Sequence, residues 1–189
     1  NGSWKVVARK QLLPTYDVFD EKRYFRPADT TSIINISTPQ QTWKVGLTIC
    51  EDLWVDEEIQ GQRLKGPDPI EQLQKGQVDL LVNLSASPFS HSKEFLRYQL
   101  AAKAGSRLSC PVIYLNQVGG NDELIFDGSS FIMGSDGKVV FSLPSCQEHV
   151  GIWDAGAPIT SKVPSAADNQ EKLFRALVLG VRDYCRKCG

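Results

Sequence analysis

An α/β fold is predicted by three features of the sequence. Three apolar, β-rich runs, "WKVGLTIC" (43–50), "VDLLVNLSAS" (78–87) and "CPVIYLNQVGG" (110–120), each end abruptly in polar or small residues. Helical patterns lie between them, giving the order strand, helix, strand. The 189 residues suffice for one domain with a substantial core, or for a large piece of a bigger one.

The three runs show little apolar/polar alternation, which suits strands covered on both faces, and their polar ends are where layered folds place their sites. The stretch "DPIEQLQKGQ" (68–77) predicts a helix, with proline in its first turn and glycine near its end. A second helix is predicted over 92–108, with Ser92 as N-cap and Phe95, Leu96, Tyr98, Leu100 and Ala102 forming a broad apolar side. Residues 127–144 read as two strands joined at Ser135, Asp136 and Gly137, the glycine supplying the positive φ of a tight turn. An Ala-, Ser- and Pro-rich stretch then suggests a linker over 155–167, closing a unit at 1–154. The last helix begins near Asp168, with Glu171 as partner in a capping box. Leu173, Phe174, Leu177, Val178, Val181 and Tyr184 share one face of it, most simply a packing surface.

Formal net charge is −1 and Lys and Arg are dispersed, so no footprint for nucleic acid or an anionic membrane is present. No apolar run approaches the roughly 18 residues that span a bilayer. Five cysteines are an odd count for a disulfide framework and fit a reducing compartment, so a cytoplasmic protein is expected. Cys185 and Cys188 form C-x-x-C one helical turn apart; His91 and His149 lie far off, so the cysteines read as core filler and no metal site is expected. The chain starts at Asn1 and stops in a helix, and a fragment cut at both ends is expected.

Cys50 closes the first run and is followed at once by Glu51 and Asp52. From the residues alone it is either a buried strand-end cysteine or a nucleophile. Flanking carboxylates raise a thiol's pKa, so a nucleophile would need a cation brought from elsewhere, for which Lys10 is a candidate.

The segments "RKQLLPTYDVFDEKRYF" (9–25), "GLTICEDLW" (46–54) and "NLSASPF" (83–89), with a lysine shortly after, resemble the nitrilase, or carbon-nitrogen hydrolase, superfamily. More narrowly, they resemble the glutaminase domains of glutamine-dependent NAD synthetases. The resemblance implies a nitrilase-like αββα sandwich, incomplete at the N-terminus, with a Glu-Lys-Cys triad of which Lys10 and Cys50 match two members. The triad glutamate lies upstream in that family, and no residue here is assigned to it. Glu21 matches a further glutamate near the lysine. Tyr16, Phe19, Glu51, Ser87 and Lys93 match positions around the family's glutamine pocket. The implied activity is ammonia release from L-glutamine through a Cys50 thioester, with little turnover by the fragment alone. The resemblance further implies that ATP, Mg and deamido-NAD bind in a synthetase domain beyond the helix at 168–189; a homo-oligomer is expected. The alternatives are a free-standing nitrilase-type amidase or carbamoylase, and a non-catalytic nitrilase-like module.

Overall fold

The structure, a computed structural model, describes residues 2–155 and 168–189. Residues 156–167, nearly all of the expected linker, lie outside the described residues. Among the described residues six strands form one sheet in the order β1 (Ser32–Ser37), β2 (Thr42–Ile49), β3 (Leu80–Ser85), β4 (Val112–Asn116), β7 (Phe131–Met133) and β8 (Val139–Ser142). The central pairs β2–β3 and β3–β4 are parallel and the outer ones antiparallel. Strands β5 (Val118–Asn121) and β6 (Leu124–Asp127) form a separate ribbon. The short helices α1 (Glu21–Tyr24) and α2 (Glu57–Gln60) accompany the longer α3 (Pro69–Gly76), α4 (Lys93–Leu108) and α5 (Asn169–Cys188).

Helices α3 and α4 form where expected, for identifiable local reasons. Asp68 caps α3, its carboxylate accepting the Glu71 N–H at 2.9 Å, and Pro69 opens the first turn. Gln77, rather than the nearby glycine, takes the left-handed position at the end. Ile70 and Leu73 point from α3 into the core beside Leu81, Ala101, Ala104, Val112 and Met133, and full burial of each large aliphatic side chain contributes about 2 kcal/mol. Helix α3 lies so close to β2 that a Cβ at Gly46 would come within 3.2 Å of Leu73.

Four expectations are corrected. Among the described residues helices cover the sheet on one face, and on the other Leu84 and Leu115 are 50% and 40% exposed, so the unbroken apolar runs are not buried on both sides here. The run 110–120 is two strands in two sheets: β4 stops at Asn116, and β5 leaves to pair with β6. On α4 it is Arg97, not Phe95, that faces inward with Leu100, Ala101 and Ala104; Phe95 is exposed, and Ser92 stands at the N-cap without a capping hydrogen bond.

The fourth correction concerns α5. It docks on the β5–β6 ribbon through Ala176 and Leu179, while Phe174, Leu177, Val178, Val181 and Tyr184 remain exposed. Gly180 permits this approach, since a Cβ there would lie 2.9 Å from Ile125 Cδ1. Asp183 accepts the Gly120 N–H at 2.8 Å, and Lys187 donates to the Gly120 carbonyl at 2.6 Å. Asp168 makes no capping bond; Glu171 pairs with Arg175 instead. Cys185 and Cys188 are exposed at the helix end rather than in the core.

Candidate active site

Cys50 stands where β2 gives way to one turn of 3-10 helix, Cys50–Leu53. Its φ of +50° is left-handed, a conformation that costs a non-glycine residue of order 1 kcal/mol and is concentrated at functional turns. Such a strand-to-helix elbow lifts a side chain above the end of a sheet. Here it opens into a cavity of about 440 Å³.

The elbow is held by Asp52, which is 3% exposed. One carboxylate oxygen accepts the N–H groups of Gln11 and Leu12, at 2.9 and 2.8 Å, and the other accepts the Ile49 N–H at 3.1 Å. A single buried side chain thus ties Gln11 and Leu12 to the turn that carries Cys50, and so brings the adjacent Lys10 to the cavity. Lys10 Nζ donates to both oxygens of Glu21, at 2.8 and 2.9 Å, which fixes the ammonium at the cavity wall.

All eight residues nominated from the sequence, Lys10, Tyr16, Phe19, Glu21, Cys50, Glu51, Ser87 and Lys93, line this one cavity. They come from five separate parts of the chain. Tyr16 donates its hydroxyl to the Glu51 carboxylate and meets Phe19 edge-on, ring centroids 6.0 Å apart. Ser87 presents a hydroxyl whose oxygen already accepts from Arg97 Nε at 3.2 Å, while its N–H donates to Asn116 at 2.8 Å.

The electrostatics follow from enclosure. Burial pushes the Cys50 thiol above its ordinary value, with Glu51 adding to the rise; Lys10, the Ala86 N–H and the Ser85 hydroxyl act the other way by favouring the thiolate. Burial likewise raises the Glu51 carboxyl, opposed by the Tyr16 hydrogen bond and by Lys10 and Lys93. Burial and the Arg97 charge together lower Lys93, partly offset by Glu51. Tyr16 is held firmly protonated by burial and by Glu51. The cavity therefore offers a carboxylate at one place, an ammonium at another, and a thiol near a second ammonium.

Sequence reasoning missed the residues behind the wall. Arg97, 1% exposed, grips Asp127 with both terminal nitrogens at 3.0 Å and donates to the carbonyls of Ser87 and Pro88 at 2.9 and 3.1 Å. Asn116 closes the arrangement by donating to the Ser87 carbonyl at 3.1 Å. A signal for Arg97 was present: it precedes Leu100, Ala101 and Ala104 by three, four and seven residues, the spacing of a buried helical face. Asp52 carried no such signal beyond lying between Glu51 and the apolar Leu53. Among the described residues no group of three His, Cys, Asp or Glu side chains is placed to hold a metal ion.

Comparison with known proteins gives concordant results. The carbon-nitrogen hydrolase family model matches residues 1–155. The glutamine-dependent NAD(+) synthetase of Synechocystis sp. is 45% identical over 193 residues, covering 100% of this chain but 34% of that protein. The chain thus spans about a third of the length of such relatives. A solved glutamine-dependent NAD+ synthetase from Acinetobacter baumannii superposes with a TM-score of 0.78 at 32% identity, over 95% of this chain and 32% of that one. A carbon-nitrogen hydrolase from Helicobacter pylori shares the fold, with a TM-score of 0.57 at 23% identity over 74% of this chain and 48% of that one.

Proposed function

The chain belongs to the carbon-nitrogen hydrolase family, and from that premise we propose that it is the glutaminase part of a glutamine-dependent NAD(+) synthetase. The observation that carries this reading is Cys50, in a left-handed turn, opening into the same cavity as Lys10 and a set of charges suited to a free amino acid. Lys93 suits the α-carboxylate of L-glutamine, Glu51 its α-ammonium group, and Tyr16 and Phe19 its aliphatic stem. A simple amide or nitrile would leave Lys93 and Glu51 without a role, which favours the glutaminase reading over a free-standing amidase.

In this reading the Cys50 thiolate attacks the side-chain carbonyl carbon. The S–C bond forms as the carbonyl electrons move onto oxygen, where Lys10 and a backbone N–H after Cys50 stabilise the charge. Collapse breaks the C–N bond, and the leaving nitrogen takes a proton to depart as ammonia. Water then cleaves the thioester to give glutamate and the free thiol. Glu21, bonded to Lys10, holds the lysine as a cation in place. General base catalysis is assigned, by family resemblance, to a glutamate upstream of Lys10, so the 189 residues alone are expected to turn over slowly or not at all.

The organisation proposed is residues 1–154 as the C-terminal portion of the glutaminase domain, 155–167 as a linker and 168–189 as a helix leading to a synthetase domain. There ATP and Mg would support amidation of deamido-NAD with the ammonia released at Cys50. Homo-oligomerisation and a cytoplasmic location belong to the same proposal; among the described residues no helix is long and apolar enough to cross a membrane. The test is Cys50→Ala in the intact enzyme. Glutamine-dependent NAD synthesis should vanish while ammonia-dependent synthesis stays within about twofold, and equal loss of both would refute the division of labour.

A further inference from the structure

A second cavity, of about 360 Å³, shares a wall with the one into which Cys50 opens. Tyr16, Glu51 and Trp54 line both, whereas Phe19 and Lys93 line only the first and Arg63 only the second. Along that wall the Tyr16 hydroxyl is joined to the Glu51 carboxylate by a hydrogen bond. Both ends of the pair are anchored. Glu51 belongs to the 3-10 turn that carries Cys50, and its carbonyl accepts the Trp54 N–H at 2.8 Å. Tyr16 sits in a compact loop, where its own carbonyl accepts the Phe19 N–H and the Pro14 carbonyl accepts the Glu21 N–H, each at 3.0 Å. Asp17 turns that loop with a left-handed φ of +54°, and the Tyr16 ring rests edge-on against Phe19.

The wall bears on what the substrate can carry. Tyr16 meets one oxygen of the Glu51 carboxylate, Oε1, which leaves the other open to an ammonium group. A glutamine held there by its α-ammonium has that nitrogen at the wall, with the second cavity beyond it. We propose that the Tyr16–Glu51 pair is a partition that confines the site to glutamine with a free α-amino group, the second cavity being the space that the Nα-acyl group of an acylated or peptide-bound glutamine would enter were the Tyr16 ring removed. Two separate costs exclude such a substrate: Glu51 loses its cationic partner, and the acyl group collides with the ring. The space beyond suits an uncharged group, since Leu64 and Leu96 border it and the Arg63 guanidinium already donates to the carbonyls of Gly66 and Pro67 at 2.8 and 2.9 Å.

The test measures ammonia release by the intact enzyme from L-glutamine, from Nα-acetyl-L-glutamine and from glutaramate, which is glutamine without its α-amino group. Glutaramate loses only the charge pairing and should fall roughly 10- to 100-fold below glutamine in kcat/KM. Acetylglutamine also meets the ring and should fall at least about tenfold further. Tyr16→Ala should raise acetylglutamine relative to glutaramate at least about tenfold, while Phe19→Ala, at a residue lining the first cavity alone, should leave that ratio within about threefold. Tyr16 is 44% exposed, so its truncation leaves the core intact. If turnover by Tyr16→Ala is too slow to follow, protection of Cys50 from iodoacetamide by the two compounds gives the same comparison. Acetylglutamine matching glutaramate in the parent enzyme, an unchanged ratio in Tyr16→Ala, or an equal rise in Phe19→Ala overturns the proposal. The partition rests on the glutaminase reading, and the two fail apart: absent glutamine turnover, or glutaramate equal to glutamine, removes that reading, whereas an unchanged ratio removes the partition alone.

Discussion

Replacing Asp52 should do more damage than its place beside the nucleophile suggests, because its carboxylate holds three backbone donors around the elbow. Asp52→Ala strips acceptors from the N–H groups of Gln11, Leu12 and Ile49, of which the first two belong to the segment that delivers Lys10. A buried donor left without a partner costs about 1–3 kcal/mol; with water entering the vacated space, the three together should cost about 3–5 kcal/mol. Asp52→Asn keeps the amide oxygen for Gln11 and Leu12, which share one carboxylate oxygen, and turns its NH₂ against the Ile49 N–H, so it should cost about 1–2 kcal/mol. With a urea m-value of about 2 kcal/mol/M, the midpoint should fall by roughly 2 M for alanine and by under 1 M for asparagine. Both are read by urea unfolding followed by circular dichroism. Equal midpoints for the two variants, or an alanine shift below about 0.5 M, would refute the idea that this carboxylate ties Lys10 to Cys50.

Other consequences are equally open to measurement. Arg97→Met strands the Asp127 carboxylate, 4% exposed, with Ser129 as its remaining side-chain partner, and should cost about 3–5 kcal/mol in urea unfolding; Arg97→Met with Asp127→Leu should recover much of it, and a double variant no more stable than the single would contradict the account. Lys93→Ala should raise the KM for glutamine at least about tenfold in the intact enzyme with kcat within about threefold, whereas a fall confined to kcat would place Lys93 in the chemistry instead. The pH dependence has a definite sign. Burial raises Glu51 and Asp52 above the ordinary carboxylate range, so between the unfolded and folded values the native state holds protons the unfolded chain releases, and their contribution to stability is lost as pH rises through that window. Glu51→Gln should therefore flatten the decline in urea midpoint as pH rises above the ordinary glutamate range, and an unaltered slope would count against it.

The parts of this fold that the sequence announced are those governed by local pattern. Helix α3 was legible because proline stands in its first turn and a glycine near its end, and the β7–β8 hairpin because Gly137 supplies a positive φ. Strand runs were legible as strands, yet not their partners: nothing local tells 110–120 to break at Gln117 and send β5 to another sheet. The exposed stripe on α5 shows the same limit from the other side, since periodicity reveals that Leu177, Val181 and Tyr184 share a face but not what covers it. Within the cavity, the residues that face the empty space were found through motif resemblance. Those that hold them, Asp52, Arg97, Asp127 and Asn116, act through hydrogen bonds between residues 9 to 41 positions apart, and such pairings emerge only once the sheet is assembled.

The central claim is that Cys50 forms a covalent bond with the side-chain carbonyl carbon of glutamine. The most direct test exposes the intact enzyme to a glutamine analogue with an electrophilic diazoketone in place of the carboxamide, then maps the adduct by mass spectrometry. One adduct on the Cys50 peptide, suppressed by excess L-glutamine and slowed in Lys10→Ala, is the predicted result. Labelling of Cys146 or Cys185 in its place, or no glutamine-protected adduct on Cys50, would contradict the claim.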